Sequence, residues 1–269
     1  MTERRTQGVQ PAWLLHRWDW SETSLVLELF TRSLGRVAVV AKGAQRPYSQ
    51  LRSVLLPFQR LNVVLTRPAG EATELHNLRT AEWAGQSAMI GARALFPAFY
   101  LNELLMRLLG RHDAHQALFD AYGVAVTTLA QADGDDALTA AALRAFELVL
   151  LHETGVLPQL DCVTHTQQPV RPDGRYTLRP DGGLVAAGAD ALALSGTDLL
   201  QLQAALVASL QAPADIQAAQ ALCQATGQAA SGLRPQLRTL LAYHLGPQPL
   251  RTRQALHDVQ RLLDVRTTP

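Results

Sequence analysis

Few residues in this chain have the type and spacing to do chemistry, and the nearest approach is half a site. Cys162 and His165 stand in C-x-x-H spacing, which could supply two of the four ligands of a tetrahedral zinc ion. A structural site needs a second pair, and the downstream run GGLVAAG (182–188) contains no ligand; no bound zinc is expected. Cys223 falls inside a helical pattern, where a small buried thiol is the ordinary role. Asp133, Asp135 and Asp136 could offer oxygens to a divalent cation. Placed just before an apolar-periodic run, they read instead as a solvated loop with a helix N-cap at Asp135 or Asp136. His112 and His115 read as solvated residues at a helix start.

Turnover chemistry leaves no trace. The sequence has no GxxxxGK[ST] loop and no GxGxxG after a strand, so the backbone cradles for nucleotide phosphates are missing. It has no GxSxG elbow, and LSGTD (194–198) suits a helix cap better. The reading is of a protein that is not an enzyme, with no catalytic residues and no cofactor.

The cations say more. Among 24 Lys and Arg residues the one lysine is Lys42. On a strand over 35–43, Arg36, Ala38, Val40 and Lys42 share one face, and Val37, Val39 and Ala41 the other. Small residues between two cations leave room for a phosphodiester backbone. Arg17, Arg32, Arg46 and Arg52 lie nearby in sequence, interleaved with Trp13, Trp18, Trp20, Phe30, Tyr48 and Phe58. Cations for phosphate and aromatic faces for bases are what single-stranded DNA binding requires. Core aromatics with solvated arginines would leave the same residues, and singly that reading suits Trp13 and Phe58. Residues 1–80 carry 11 Lys and Arg against 6 Asp and Glu, the remainder 13 against 17. A basic first part points to a polyanionic partner.

The elements that must position these residues change period part-way. Residues 12–18, 24–31, 35–43 and 53–67 read as strands with short turns, and 74–83 as a fifth strand running into a helix. On the second strand Leu25, Leu27 and Leu29 share one face, and Val26, Glu28 and Phe30 the other. Five short strands in a basic stretch of 1–80 suit a small OB-type barrel. From 81 to 269 the pattern is helical, over 97–110, 115–131 and 136–155, and again from Thr197 in three further runs, with PLRTRQALHDVQRLL (249–263) as a closing helix. Residues 156–195 interrupt it with two RPDG turns, at 171–174 and 179–182, read as a small hairpin. The fold class is α+β. With 48% hydrophobic residues the chain can bury a sizeable core. Two distant cysteines suggest no disulfide framework. No secretory signal and no membrane span are read, so a cytoplasmic protein is expected.

The ordered string LHRWDWSETSLVLELFTRSLGRVAVVAKGAQRP (15–47), with LLPF (55–58), LRTAE (78–82), YLNELLMRLL (100–109), LRAFELVLL (143–151) and PLRTR (249–253), closely resembles the RecO family of DNA repair proteins. The resemblance covers most of the chain and is weaker over 156–245. It implies an OB-fold followed by a helical domain, and a recombination mediator in place of an enzyme. Such a protein binds single- and double-stranded DNA, anneals complementary strands and, with RecR, helps load RecA onto DNA coated by single-strand-binding protein (SSB). Its partners would be DNA, RecR and the acidic, apolar C-terminal tail of SSB, with RecA indirectly and no membrane. Many members carry a four-cysteine zinc module in the place of 156–195; this sequence keeps Cys162, has His165 for the second cysteine, and lacks the downstream pair. Arg144 matches the arginine of the family's LRxFEL motif and, with Phe146, is the expected SSB-tail contact, Arg144 anchoring the terminal carboxylate. An ordinary surface arginine on an amphipathic helix stays open beside it. So does a different reading of the whole, a non-catalytic helical scaffold whose OB domain binds a protein.

Overall fold

The computed structural model describes residues 8–66, 75–85, 89–132, 134–188, 192–256 and 258. Strands β1 (Gln10–Ser21), β2 (Ser24–Thr31), β3 (Gly35–Ala41), β4 (Arg60–Thr66) and β5 (Leu75–Trp83) close into a barrel in the order β1-β2-β3-β5-β4. β3 and β5 pair in parallel and the other neighbours antiparallel, as in an OB-fold. Alternation does the sorting: Leu27 pairs with Val39 and Leu29 with Val37 across β2 and β3. All four side chains fill the interior with Leu14, Leu61, Val63 and Leu65.

Two strand expectations shift. The chain from Leu51 to Val54 is a helical turn, α1, and Phe58 takes a positive φ of 63°, so β4 starts only at Arg60. β5 stays extended to Trp83 where a passage into helix was expected, because β4 pairs with it as far as Leu61 opposite Trp83.

β2 is buried on both faces. Glu28 and Phe30, on the face pointing out of the barrel, have no exposed surface, because residues 109–119 cover them. The Phe119 ring lies 5.5 Å from that of Phe30 and 6.2 Å from that of Trp13. Glu28 accepts Arg36 Nη1 at 2.8 Å and Arg111 Nη2 at 2.9 Å. Arg36 Nε and Nη2 both donate to the Leu109 carbonyl, and the His112 amide donates to the Arg36 carbonyl. An uncompensated carboxylate in this position would be strongly destabilising; two guanidinium groups make it tolerable. Gly35 turns β2 into β3 with φ 67°, and a Cβ there would sit 1.8 Å from the Asp113 carbonyl oxygen, so the close approach requires glycine. Residues 1–90 and 109–119 form one compact unit, and 91–108 and 120–269 a second.

The second unit holds α2 (Ala92–Leu108), most of α3 (Gln116–Gln131), α4 (Asp136–Glu153), α5 (Gly196–Gln211), α6 (Ile216–Gln228) and α7 (Ala230–Leu245). α4 is its centre and packs against α2, α5, α6 and α7. Asp135 caps α4, accepting from the Ala137 and Leu138 amides, and Gly155 leaves it with φ 73°. Ser195 caps α5 as the LSGTD reading expected. Between α4 and α5 lies a three-stranded sheet in the order β7-β6-β8, from β6 (Arg175–Arg179), β7 (Gly183–Ala186) and β8 (Leu194–Ser195). The RPDG at 179–182 forms its hairpin turn. The buried Gln236 of α7 accepts from the Leu178 amide and donates to the Leu192 carbonyl, both at 2.7 Å, fixing the sheet to the helices. Among the described residues no helix is long and apolar enough to cross a membrane.

Candidate functional site

A pocket of about 470 Å³ opens in the helical unit. α2 gives it Phe96, Pro97 and Tyr100, α4 gives Leu143 and Arg144, and α7 gives Leu241 and two arginines, Arg234 and Arg238, one turn apart. Residues 246–253, with Pro247, Pro249, Leu250 and Arg253, complete the wall. Apolar walls carrying four guanidinium groups suit an anionic ligand with an apolar body. Beneath the lining, Glu147 is wholly buried. Its Oε1 accepts Arg144 Nη2 at 2.5 Å and the Tyr100 hydroxyl at 2.7 Å, while Oε2 has no hydrogen-bond partner. Burial pushes the Glu147 carboxyl up to about 7, against the pull of Arg144. Burial, and then the Glu147 charge, likewise raise the Tyr100 hydroxyl well above its ordinary value.

The barrel offers a different surface. Register places Trp18 opposite Val26, and Val26 opposite Val40, on the outward face. Asp19, Leu25 and Ala41 align in the next row, so Trp20 and Lys42 lie toward the same end of the barrel. The Gln45 amide donates to the Thr23 carbonyl, which brings the loop of Arg46 and Tyr48 to that end as well. Trp18 (40%), Trp20 (65%) and Tyr48 (99%) are exposed, as are Lys42, Arg46 and Arg52. The remaining aromatics of the expected platform, Trp13, Phe30 and Phe58, are core residues.

The family described as "Recombination protein O N terminal" matches residues 6–86, and "Recombination protein O C terminal" matches 92–254. A DNA repair protein RecO of Paracidovorax citrulli is 49% identical over 97% of this chain and all of its own. Another, of Variovorax paradoxus, is 50% identical over 94% of this chain and 96% of its own. The chain belongs to the RecO family.

Membership gives this RecO-family chain a role in DNA repair and recombination, and it allows the expected residues to be placed. Arg144 stands in the pocket. Phe146, expected beside it, does not: it is 2% exposed and packs edge-on to Tyr122 at 6.1 Å, within the core. Positions two apart on a helix lie on nearly opposite faces, and α4 is buried nearly all round. Arg36, expected on a phosphate face with Lys42, is turned to Glu28 and the Leu109 carbonyl, its side chain 14% exposed. Arg17 is exposed, with Nη1 donating to the Leu55 carbonyl, and Arg32 is half-buried at the end of β2. Sequence reading did not single out Arg111, Arg234, Arg238 or Arg253 as site residues; Arg253 stands in the PLRTR string (249–253), and the other three carry no local signal.

Zinc, which the family implies for many members, does not fit the residues present. Cys162 Sγ donates to Gln159 Oε1, and among the described residues no three His, Cys, Asp or Glu cluster as metal ligands. Thr164 stands where cross-linking is needed: its amide donates to the Leu184 carbonyl and its Oγ1 accepts the Leu184 amide, at 2.9 and 2.8 Å. A Cβ on Gly183 would lie 2.2 Å from that Oγ1, so glycine admits the threonine. Asp133 lies outside the described residues, and Asp135 is spent on its cap.

Proposed function

We propose that this chain is a recombination mediator that binds single- and double-stranded DNA through the barrel and the acidic, apolar C-terminal tail of SSB through the helical pocket. It anneals complementary strands and, with RecR, helps load RecA onto SSB-coated single strands. The observation that carries this reading is the pocket: apolar walls with Arg144, Arg234, Arg238 and Arg253 suit a peptide that ends in acidic residues, an apolar side chain and a free carboxylate. The exposed Lys42, Arg46 and Arg52, beside the exposed Trp18, Trp20 and Tyr48, support the DNA half. Annealing needs no nucleophile. It needs cations that reduce the repulsion between two strands while base edges stay available.

Calorimetry with a synthetic SSB-tail peptide tests it. The free-acid peptide should bind, and the same peptide amidated at its C-terminus should bind at least about ten-fold more weakly, since a charge-assisted hydrogen bond is worth roughly 1.5–3 kcal/mol. Equal binding of the two forms refutes the carboxylate anchor. In parallel, Lys42→Glu with Arg46→Glu should flatten the salt dependence of single-strand binding, by about one in slope for each phosphate no longer neutralised.

A further inference from the structure

The pocket has a wall that does not hold itself up. α7 ends at Leu245, and the chain leaves it through Gly246 at φ 74°. Residues 247–250 then run without regular structure before 251–256 become helical. Pro247 and Pro249 have no amide hydrogen to give. This strap therefore presents two sets of unpaired backbone groups, the last carbonyls of one helix and the first amides of the next.

The last α7 carbonyl, a carbonyl of the strap itself and the first two amides of the next helix are met from one face of α2, by residues one turn apart. Arg107 Nη2 donates to the Leu245 carbonyl at 2.6 Å and Nη1 to the Gln248 carbonyl at 2.9 Å. Glu103 Oε1 accepts the Arg251 amide at 2.7 Å, and Oε2 accepts the Thr252 amide at 2.9 Å and its hydroxyl at 2.6 Å. The signs agree with the helix termini: a cation on a C-terminus and an anion on an N-terminus. Neither side chain lines the pocket, yet every group they hold belongs to, or directly flanks, the strap that lines it. Arg253 follows Thr252 immediately, so the direction in which its guanidinium is presented depends on that cap.

We propose that Glu103 and Arg107 are positioning residues for ligand binding in this pocket, clamping residues 245–252 so that Arg253 is held as one of its anion contacts. The inference rests on the tail-binding reading. It makes the affinity of the pocket depend on two α2 side chains that the ligand does not touch, and it explains why a proline-broken stretch can serve as a wall.

The test is a double-mutant cycle on peptide binding, read by calorimetry, with native-state hydrogen exchange alongside. Glu103→Ala should weaken the free-acid peptide roughly ten-fold, because it removes the charge-assisted hydrogen bonds that order an anion-binding side chain. Glu103→Gln, which keeps the volume, should give a smaller loss in the same direction. Arg253→Ala should weaken binding by a similar factor, and adding it to Glu103→Ala should cost little more, since the two act through one guanidinium. The Arg251 and Thr252 amides should exchange faster in Glu103→Ala, with the α4 amides unchanged. Full peptide affinity in Glu103→Ala overturns the proposal, as do effects of Glu103→Ala and Arg253→Ala that multiply. Unchanged exchange at Arg251 and Thr252 overturns the clamp itself and needs no ligand, so it is told apart from a failure of the unaltered chain to bind the peptide, which would remove the tail reading.

Discussion

Glu147 makes the floor of the pocket sensitive to protons, and Glu147→Gln isolates the effect. The carboxyl is wholly buried, one oxygen is shared by Arg144 and Tyr100, and the other has no partner. Burial raises it from 4.5 to about 7, while Arg144, Tyr100, Arg253 and Arg234 pull the other way. The folded chain then holds more protons than the unfolded chain between those two values. Stability therefore falls as pH rises through that window and levels off above it. A change from 4.5 to about 7 corresponds to roughly 3 kcal/mol at 1.36 kcal/mol per pH unit. Urea unfolding of both proteins from about pH 5 to about pH 8 measures it. The stability of Glu147→Gln relative to the unaltered chain should rise by about 2–3 kcal/mol across the range, most steeply below about pH 7. A difference that stays constant with pH would refute the reasoning. The same coupling reaches ligand binding, because an anion that engages Arg144 competes with Glu147 for it, so the tail peptide should bind more tightly near pH 6 than near pH 8.

Two further predictions concern the scaffold. Glu28→Gln leaves Arg36 and Arg111 without their shared carboxylate and should cost about 1.5–3 kcal/mol, the worth of hydrogen bonds to a charged group, since Arg111 is partly solvated and Arg36 keeps the Leu109 carbonyl. The loss is seen as a lowered urea midpoint; a midpoint within error of the unaltered chain would show that the cluster is not structural. Elemental analysis of purified protein should find no stoichiometric zinc, while Thr164→Val should speed exchange of the Leu184 amide, since it removes the acceptor used in place of a metal. One zinc per chain would overturn this account of the module.

What could be read from the sequence was what depends on near neighbours. Asp135 and Ser195 were legible as caps because a cap is decided within three residues, and the RPDG turn at 179–182 because proline, aspartate and glycine set it locally. Alternation in β2 and β3 gave the barrel its inner face. It could not say that the outer face is also buried, because what covers Glu28 comes from Arg111, 83 residues on. Arg36 was misplaced for that reason: its strand face was legible, its partner was not. The short helix at Leu51–Val54 was hidden by an apolar run that suits a strand equally well. The pocket draws on α2, α4, α7 and the strap, so its lining spans residues 96 to 256. LRxFEL marked Arg144 but could not separate it from Phe146, whose ring turns into the core.

The cover that residues 109–119 lay over β2 has a consequence for how such a barrel can be inherited. A gene segment ending near residue 90 encodes every strand of the barrel but not its outer lid. Transplanted alone, it would carry Phe30 and Trp13 to the surface and leave Glu28 with one counter-ion in place of two. The barrel is thus discontinuous as a unit of exchange. Any lineage that swapped its N-terminal strands for another's would also have to match the eleven residues beyond α2, which ties the evolution of the two halves of the chain together.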